Sequence, residues 1–208
     1  CRILRYRKPL CFIAENVKGI LSANKNQAFP LILQIFREAG YQVTYDILDA
    51  SDYGVPQKRE RVFIVGFREK SVLDRFVFPK PVTSKKKTPL KNILFPDEQI
   101  NEKYYFSERA VTGMEKVKGK MNKGRVQDPD GPCNTVSAHL AKVSLNSVDP
   151  VLKVGGRFRR FTPREVARIQ SFPEEFQLNV SENRAYRALG NAVPPVLAYE
   201  MACAIYRS

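Results

Sequence analysis

An α/β fold with a basic, irregular segment set into it is what this chain of 208 residues predicts. Residues 10–15 and 62–65 are short apolar runs bounded by polar residues and glycine, the composition of strands buried on both faces. Between them, residues 26–39 carry Phe29, Ile32, Leu33 and Phe36 at helical spacing, with Gly40 as the stop. From Phe67 to Phe161 the character changes. Proline, lysine and glycine are frequent, and only short strand-like pieces occur, such as residues 134–137.

In chain order, residues 2–8 read as the end of a basic helix stopped by Pro9. The first strand follows and runs into the carboxylate of Glu15, with Asn16 and Gly19 just beyond. Residues 41–48 alternate enough for a second strand, and residues 49–56, with Gly54 and Pro56, make a turn-rich connection. Gln57-Lys58-Arg59-Glu60-Arg61 then leads into the third strand. After the irregular segment, Thr162 is a good N-cap, Pro163 suits the first helical position and Glu165 completes a capping box. That helix ends at Ser171-Phe172-Pro173. Gly190-Asn191 reads as a tight turn between helices, and residues 196–206 as a closing apolar helix.

The composition, 43% hydrophobic and 27% charged, is that of a globular chain. No apolar run approaches the roughly 20 residues that span a bilayer, and no signal peptide is visible. Four scattered cysteines (Cys1, Cys11, Cys133, Cys203) and one histidine, His139, lack the spacing of a zinc site. A reduced, cytoplasmic setting fits such cysteine usage. The chain opens at Cys1 inside a basic segment and reads as part of a longer protein. The net charge is +14, and residues 68–160 hold 20 Lys and Arg against 10 Asp and Glu, so most of the excess sits in the middle. Concentrated positive charge favours a polyanion, nucleic acid ahead of a membrane surface.

Two groups of residues carry chemistry. A carboxylate at the C-terminal end of a buried strand lies where open α/β sheets bind ligands, which singles out Glu15; the plainer reading is that it caps the next helix. Side chains alternate along a strand, so Gln57, Arg59 and Arg61 should face one way, and Lys58 and Glu60 the other. One amide and two guanidinium groups in a row form a clamp for an anion or a base edge, because arginine offers a planar fork to phosphate and carbonyl acceptors. Ordinary surface salt bridges are the alternative. Pro132-Cys133 can mark a nucleophilic thiol, but reactivity needs a depressed pKa. Nothing in the sequence around Cys133 supplies one, so it is expected to be non-catalytic.

Four stretches, in this order, resemble the DNA cytosine-5 methyltransferases of bacterial restriction–modification systems. Glu15-Asn16-Val17 resembles that family's sixth motif, and Gln57-Lys58-Arg59-Glu60-Arg61-Val62 its eighth, of the form Gln-x-Arg-x-Arg. Residues 160–173, with Thr-Pro-Arg-Glu-Val-Ala-Arg-Ile-Gln-Ser-Phe-Pro, resemble the ninth, and Gly190-Asn191-Ala192-Val193 the tenth. The resemblance implies part of a Rossmann-like S-adenosylmethionine-dependent methyltransferase sheet plus a small, irregular, mostly β target-recognition domain. By it, residues 1–67 belong to the catalytic domain, 68–160 to the recognition domain, and 161–208 return to the catalytic domain. It also implies double-stranded DNA as partner, a cytosine flipped from the stack, and a location in the bacterial cytoplasm at the nucleoid.

Site roles follow from the same resemblance. Glu15 would hold and protonate cytosine N3, Arg61 would bind O2, Arg59 would face the adjacent phosphate and Asn16 would stiffen the turn. That role for Glu15 needs a carboxyl able to donate; burial should raise its pKa and Arg61 should lower it. Asn191 and Val193 would line the S-adenosylmethionine pocket. Gln57, Thr135 and the run Lys85, Lys86 and Lys87 would meet DNA, Thr135-Val136 resembling the Thr-Leu pair that presses on the flipped nucleotide's backbone. The helix at Arg164-Glu165 would brace the recognition domain against the catalytic one. The family's Gly-rich cofactor loop and Pro-Cys nucleophile precede the sixth motif and are not in these residues, and Pro132-Cys133 lacks the following glutamine. The chain alone is therefore expected to be inactive, a fragment or split subunit partnered by the N-terminal half. Two alternatives are a non-catalytic DNA-binding or regulatory module and a transfer-RNA cytosine-5 methyltransferase. The latter branch has a Cys-Phe-Thr signature that this sequence lacks.

Overall fold

The structure is a computed structural model and describes residues 1–83, 86–116, 125–142 and 149–208. These fall into two compact units. The first comprises Cys1–Asp49, Glu60–Pro81 and Ala198–Ser208, the second Ala50–Arg59 and Val82–Leu197. Packing thus groups residues 161–197 with the irregular middle segment, whereas composition had set them apart.

The first unit is built on three strands, β1 (Cys11–Val17), β2 (Gln42–Asp49) and β3 (Glu60–Phe67), in the order β1-β3-β2. β3 runs antiparallel to both neighbours, with Phe12 opposite Gly66, Glu15 opposite Phe63 and Val17 opposite Arg61. Helix α1 (Arg2–Arg7) precedes β1, and Lys8, left-handed at φ 47°, ends it ahead of Pro9. Helix α2 (Ala28–Glu38) has the expected apolar stripe. Phe29 and Leu33 are buried against Val62 and Ile64, with Phe12, Ala14, Val43 and Ile47 packed around them. Each such side chain taken out of water contributes about 1.5–3 kcal/mol. Gly40 at φ 91° follows α2, as the stop signal predicts.

Burial on both faces holds for β3 but not for β1. β3 uses both of its hydrogen-bonding edges and is buried from Val62 to Phe67. Among the described residues β1 pairs on one edge only; its Phe12 and Ala14 meet the α2 cluster, while Ile13 is 43% exposed. Gly66 has a packing reason. The Phe12 ring crosses it so closely that a Cβ there would lie 2.1 Å from the ring, and the ring is itself held between Phe36 and Tyr41.

The second unit has one main core, made by Leu90, Val136, Leu140, Leu152, Phe161, Val166, Ile169, Tyr186 and Leu189 with the Cys133 side chain. Its regular elements are α4 (Glu108–Lys116), the hairpin β4 (Leu152–Val154) and β5 (Arg157–Arg159), α5 (Pro163–Ile169) and α6 (Glu182–Asn191). Helix α3 (Lys70–Arg75) belongs to the first unit, and α7 (Pro195–Tyr206) starts in the second and ends in the first. Gly155 and Gly156, at φ 55° and 81°, close the hairpin, the pair of positive values that a two-residue hairpin turn demands.

Several expectations are corrected. Among the described residues the middle segment is irregular but not mostly β, with two strands of three residues each. Residues 134–137 form no ladder; the neighbouring Cys133 makes an isolated bridge to Gln57. Gly190-Asn191 is the last turn of α6, not a turn between helices. Read end to end, Glu182–Tyr206 has the length and composition of a membrane span, where sequence reading found none. The structure divides it into α6 and α7 at Ala192, with Leu189 and Met201 buried in the protein. The capping box is as foreseen: Thr162 Oγ1 accepts from Glu165 N at 3.1 Å, Glu165 Oε2 accepts from Thr162 N at 2.8 Å, and Pro163 opens the helix.

Candidate active site

In the first unit the register brings two predicted residues together. Glu15 lies opposite Phe63, so Arg61, two residues before Phe63, is its diagonal neighbour on the same sheet face. Glu15 Oε1 and Arg61 Nε are 3.1 Å apart, with the side chains 24% and 14% exposed. Arg61 Nη1 donates to the Glu60 carbonyl at 2.8 Å. Burial holds the Arg61 guanidinium below its ordinary pKa, and the charge of Glu15 opposes that shift. Among the described residues, Arg61 Nη2 and Glu15 Oε2 have no protein partner, so one donor and one acceptor of the pair stay available. Glu15 is not a helix cap: the short 3-10 turn Lys18–Leu21 after β1 has Val17 at its N-cap and no side-chain cap bond. Asn16 Oδ1 accepts from Val17 N at 2.8 Å, which stiffens the strand end.

In the second unit the predicted alternation is present, Gln57 and Arg59 buried and Lys58 exposed, but its sense is inward. Gln57 is fully buried. Its Oε1 accepts from Val136 N at 2.9 Å and its Nε2 donates to Gln170 Oε1 at 2.9 Å, while Gln170 Nε2 donates to the Leu189 carbonyl. Arg59 Nη2 donates to the Gly190 carbonyl at 3.1 Å and its Nη1 to the Val136 carbonyl at 3.4 Å. Thr135 Oγ1 donates to the Lys58 carbonyl at 2.8 Å. Four segments remote in sequence are thereby laced into one frame. Gln57 is corrected from a DNA contact to an internal strut, since a buried amide with both ends bonded has nothing left for DNA. Gln170 was missed as a site residue; its signal, an amide closing a helix next to Ser171-Phe172, has no local meaning.

Gly190 completes that frame. A Cβ on it would stand 2.3–2.4 Å from the Ser137–Ala138 backbone, so only glycine fits at this point of α6. Asn191 is exposed and its side chain has no partner among the described residues; Val193 is half-buried. Lys86 is exposed, and Lys87, half-buried, forms an ion pair with Asp52. Lys85 lies outside the described residues. Cys133 is fully buried, and burial pushes its thiol far above the ordinary range, as expected of a non-catalytic cysteine.

The Glu15–Arg61 pair thus lies half-open on a sheet face, while the excess of positive charge is concentrated in residues 68–160. The family model for the C-5 cytosine-specific DNA methylase matches residues 1–207, and the chain belongs to that family. It is 36% identical to the Type II methyltransferase M.SsoII of Shigella sonnei, over 92% of this chain and 52% of that protein. It is 37% identical to M.NgoPII of Neisseria gonorrhoeae, over 100% of this chain and 67% of that one. The chain spans about half to two thirds of the length of these relatives. The fold is shared with the S. pombe Dnmt2 methyltransferase, with a TM-score of 0.71 at 20% identity, covering 94% of this chain and 64% of that one. It is shared likewise with the Entamoeba histolytica methyltransferase EhMeth, with a TM-score of 0.71 at 17% identity, covering 95% and 62%.

Proposed function

We propose that this chain is the C-terminal portion of a DNA cytosine-5 methyltransferase of the Type II kind. Its sheet is part of a Rossmann-like methyltransferase fold, and residues 68–160 form the target-recognition domain. The observation that carries the reading is the Glu15–Arg61 pair, half-open and incompletely bonded, in a chain that belongs to the family. An acid beside a guanidinium matches one edge of cytosine: Glu15 holds and protonates N3 while Arg61 donates to O2. Protonation at N3 draws electrons from the ring and makes C6 electrophilic. Asn16 fixes the strand end that presents Glu15. Arg59 and Gln57, bonded to the Val136 backbone, hold the Thr135 segment that meets the DNA backbone.

S-adenosylmethionine supplies the methyl group when bound. Asn191, with an amide free of partners among the described residues, and Val193 fit one wall of such a site. The Gly-rich loop and the thiolate that attacks C6 come from the N-terminal half, in the same parent chain or as a separate subunit. None of Cys1, Cys11, Cys133 and Cys203 stands in the Pro-Cys-Gln pattern of the family's nucleophile, so this chain by itself is expected to transfer no methyl group. The setting is the bacterial cytoplasm, at the nucleoid. To test the reading, the chain is mixed with an N-terminal piece carrying that loop and thiol, and methyl transfer to duplex DNA is assayed. Activity of the mixture and none of either part supports it; a mixture that binds DNA with salt-dependent affinity but transfers no methyl group favours the non-catalytic module instead.

A further inference from the structure

A cavity of about 450 Å³ in the second unit is bounded by Ala138, His139 and Ala141 on one side and by Asn183, Arg184 and Arg187 of α6 on the other. Two guanidinium groups, an imidazole and an amide surround it, and among the described residues no carboxylate lines it. We infer that this cavity is a binding site for a phosphodiester of the DNA backbone; the inference rests on the reading of the chain as a DNA-acting enzyme.

The arginines of the second unit differ in what engages them. Those from Arg157 to Arg168 are engaged by carboxylates or backbone carbonyls: Arg157 by Glu102, Arg159 by Glu165, Arg160 by Ala141, Arg164 by Phe176, Arg168 by Glu174. Arg184 and Arg187 are exposed and have no acceptor among the described residues. They stand three residues apart on one helix, which places them side by side. The nearest acid in sequence, Glu182, is held by Lys103 Nζ at 2.5 Å and Tyr104 Oη at 2.6 Å, so its charge is matched away from the cavity.

The walls are rigid. The opposite side of α6 buries Tyr186 and Leu189 in the core with Leu140. The facing segment is pinned as well: His139 N donates to Ser137 Oγ at 3.0 Å, and Ser137 Oγ donates to the buried Asp149 at 2.5 Å. Gly190 lets α6 sit directly on the Ser137–Ala138 backbone. Two guanidinium forks on one helix face, opposite the His139 imidazole, suit a tetrahedral anion better than a lysine tail does.

The test is a fluorescence-anisotropy titration of a labelled duplex with this chain at several salt concentrations. Arg184→Gln/Arg187→Gln is compared with wild type, with Arg184→Lys/Arg187→Lys, and with Lys70→Gln/Lys80→Gln in the first unit as a matched loss of charge. Circular dichroism melts check that each variant folds. The glutamine pair is expected to weaken binding about tenfold or more and to flatten the slope of log K against log salt by about 1–2, while the lysine pair keeps most of the slope. In parallel, inorganic phosphate is titrated against the arginine side-chain resonances. A glutamine pair with the wild-type slope overturns the proposal, and does so equally when inorganic phosphate shifts Arg184 and Arg187, because the cavity then takes a free anion only. A wild-type chain without salt-dependent DNA binding overturns the functional reading and the site with it, an outcome distinct from an unchanged slope.

Discussion

Two arginine–carboxylate pairs, one in each unit, show what separates an ion pair that holds a fold from one that can hold a ligand. Arg159 and Glu165 are 1% and 0% exposed and share two bonds, of 2.8 and 2.9 Å. The Glu165 carboxylate also accepts from Thr162 N and Phe95 N, so both of its oxygens are used more than once. Glu15 and Arg61 touch at one nitrogen–oxygen contact and remain partly open to solvent. The residue types are the same. The difference lies in burial and in how completely the lone pairs and N–H groups are taken up within the protein.

The sharpest way to break this contrast is at Glu165. Glu165→Gln takes from the buried Arg159 the carboxylate that shares two bonds with it and leaves only the partly exposed Asp97, 3.6 Å away, as counter-charge, which costs up to about 3–5 kcal/mol. Urea unfolding should show a lower midpoint with the slope unchanged. Gly190→Ala comes next. Its methyl group would meet the Ser137–Ala138 backbone, so overpacking should cost about 1–3 kcal/mol or more, read as a lower Tm. A midpoint unchanged by either variant would show that the second unit does not depend on this frame.

The smallest expected effect concerns pH. Hydrogen bonds from Lys103 and then Tyr104 hold Glu182 below its ordinary value of 4.5. A carboxylate depressed in the folded state contributes stability above its unfolded pKa, and that contribution is lost as pH falls through the folded value. Glu182 is substantially exposed, so the amount lies within about 0–1 kcal/mol. Wild type and Glu182→Gln should melt apart above about pH 5 and converge in acid. Curves that stay separated at low pH would contradict the pairing.

What was legible in the sequence was mostly local. The capping box of Thr162 and Glu165 is written within four residues, and the stripe of α2 within ten, so both could be read directly. The alternation of Gln57, Arg59 and Arg61 was also legible, but not which way it faced. Gln57 is buried by Gln170, 113 residues away, and no local pattern encodes that partner. Residues 134–137 looked like a strand because Thr and Val favour strands. Tertiary bonds to Gln57 and Lys58 took up their backbone and side-chain groups instead. Gly190-Asn191 looked like a turn because glycine is rare in helices; here it serves a close approach between segments.

The central claim is that Glu15 serves a base and not the fold. The most direct measurement is methyl transfer to duplex DNA by the chain complemented with its N-terminal half, wild type against Glu15→Gln, with urea unfolding of the same two chains. Loss of proton donation at N3 should lower the rate about 10²–10⁴-fold, while stability changes by no more than about 1 kcal/mol. A Glu15→Gln chain that transfers methyl groups at the wild-type rate, or that loses activity only because it unfolds, would contradict the account.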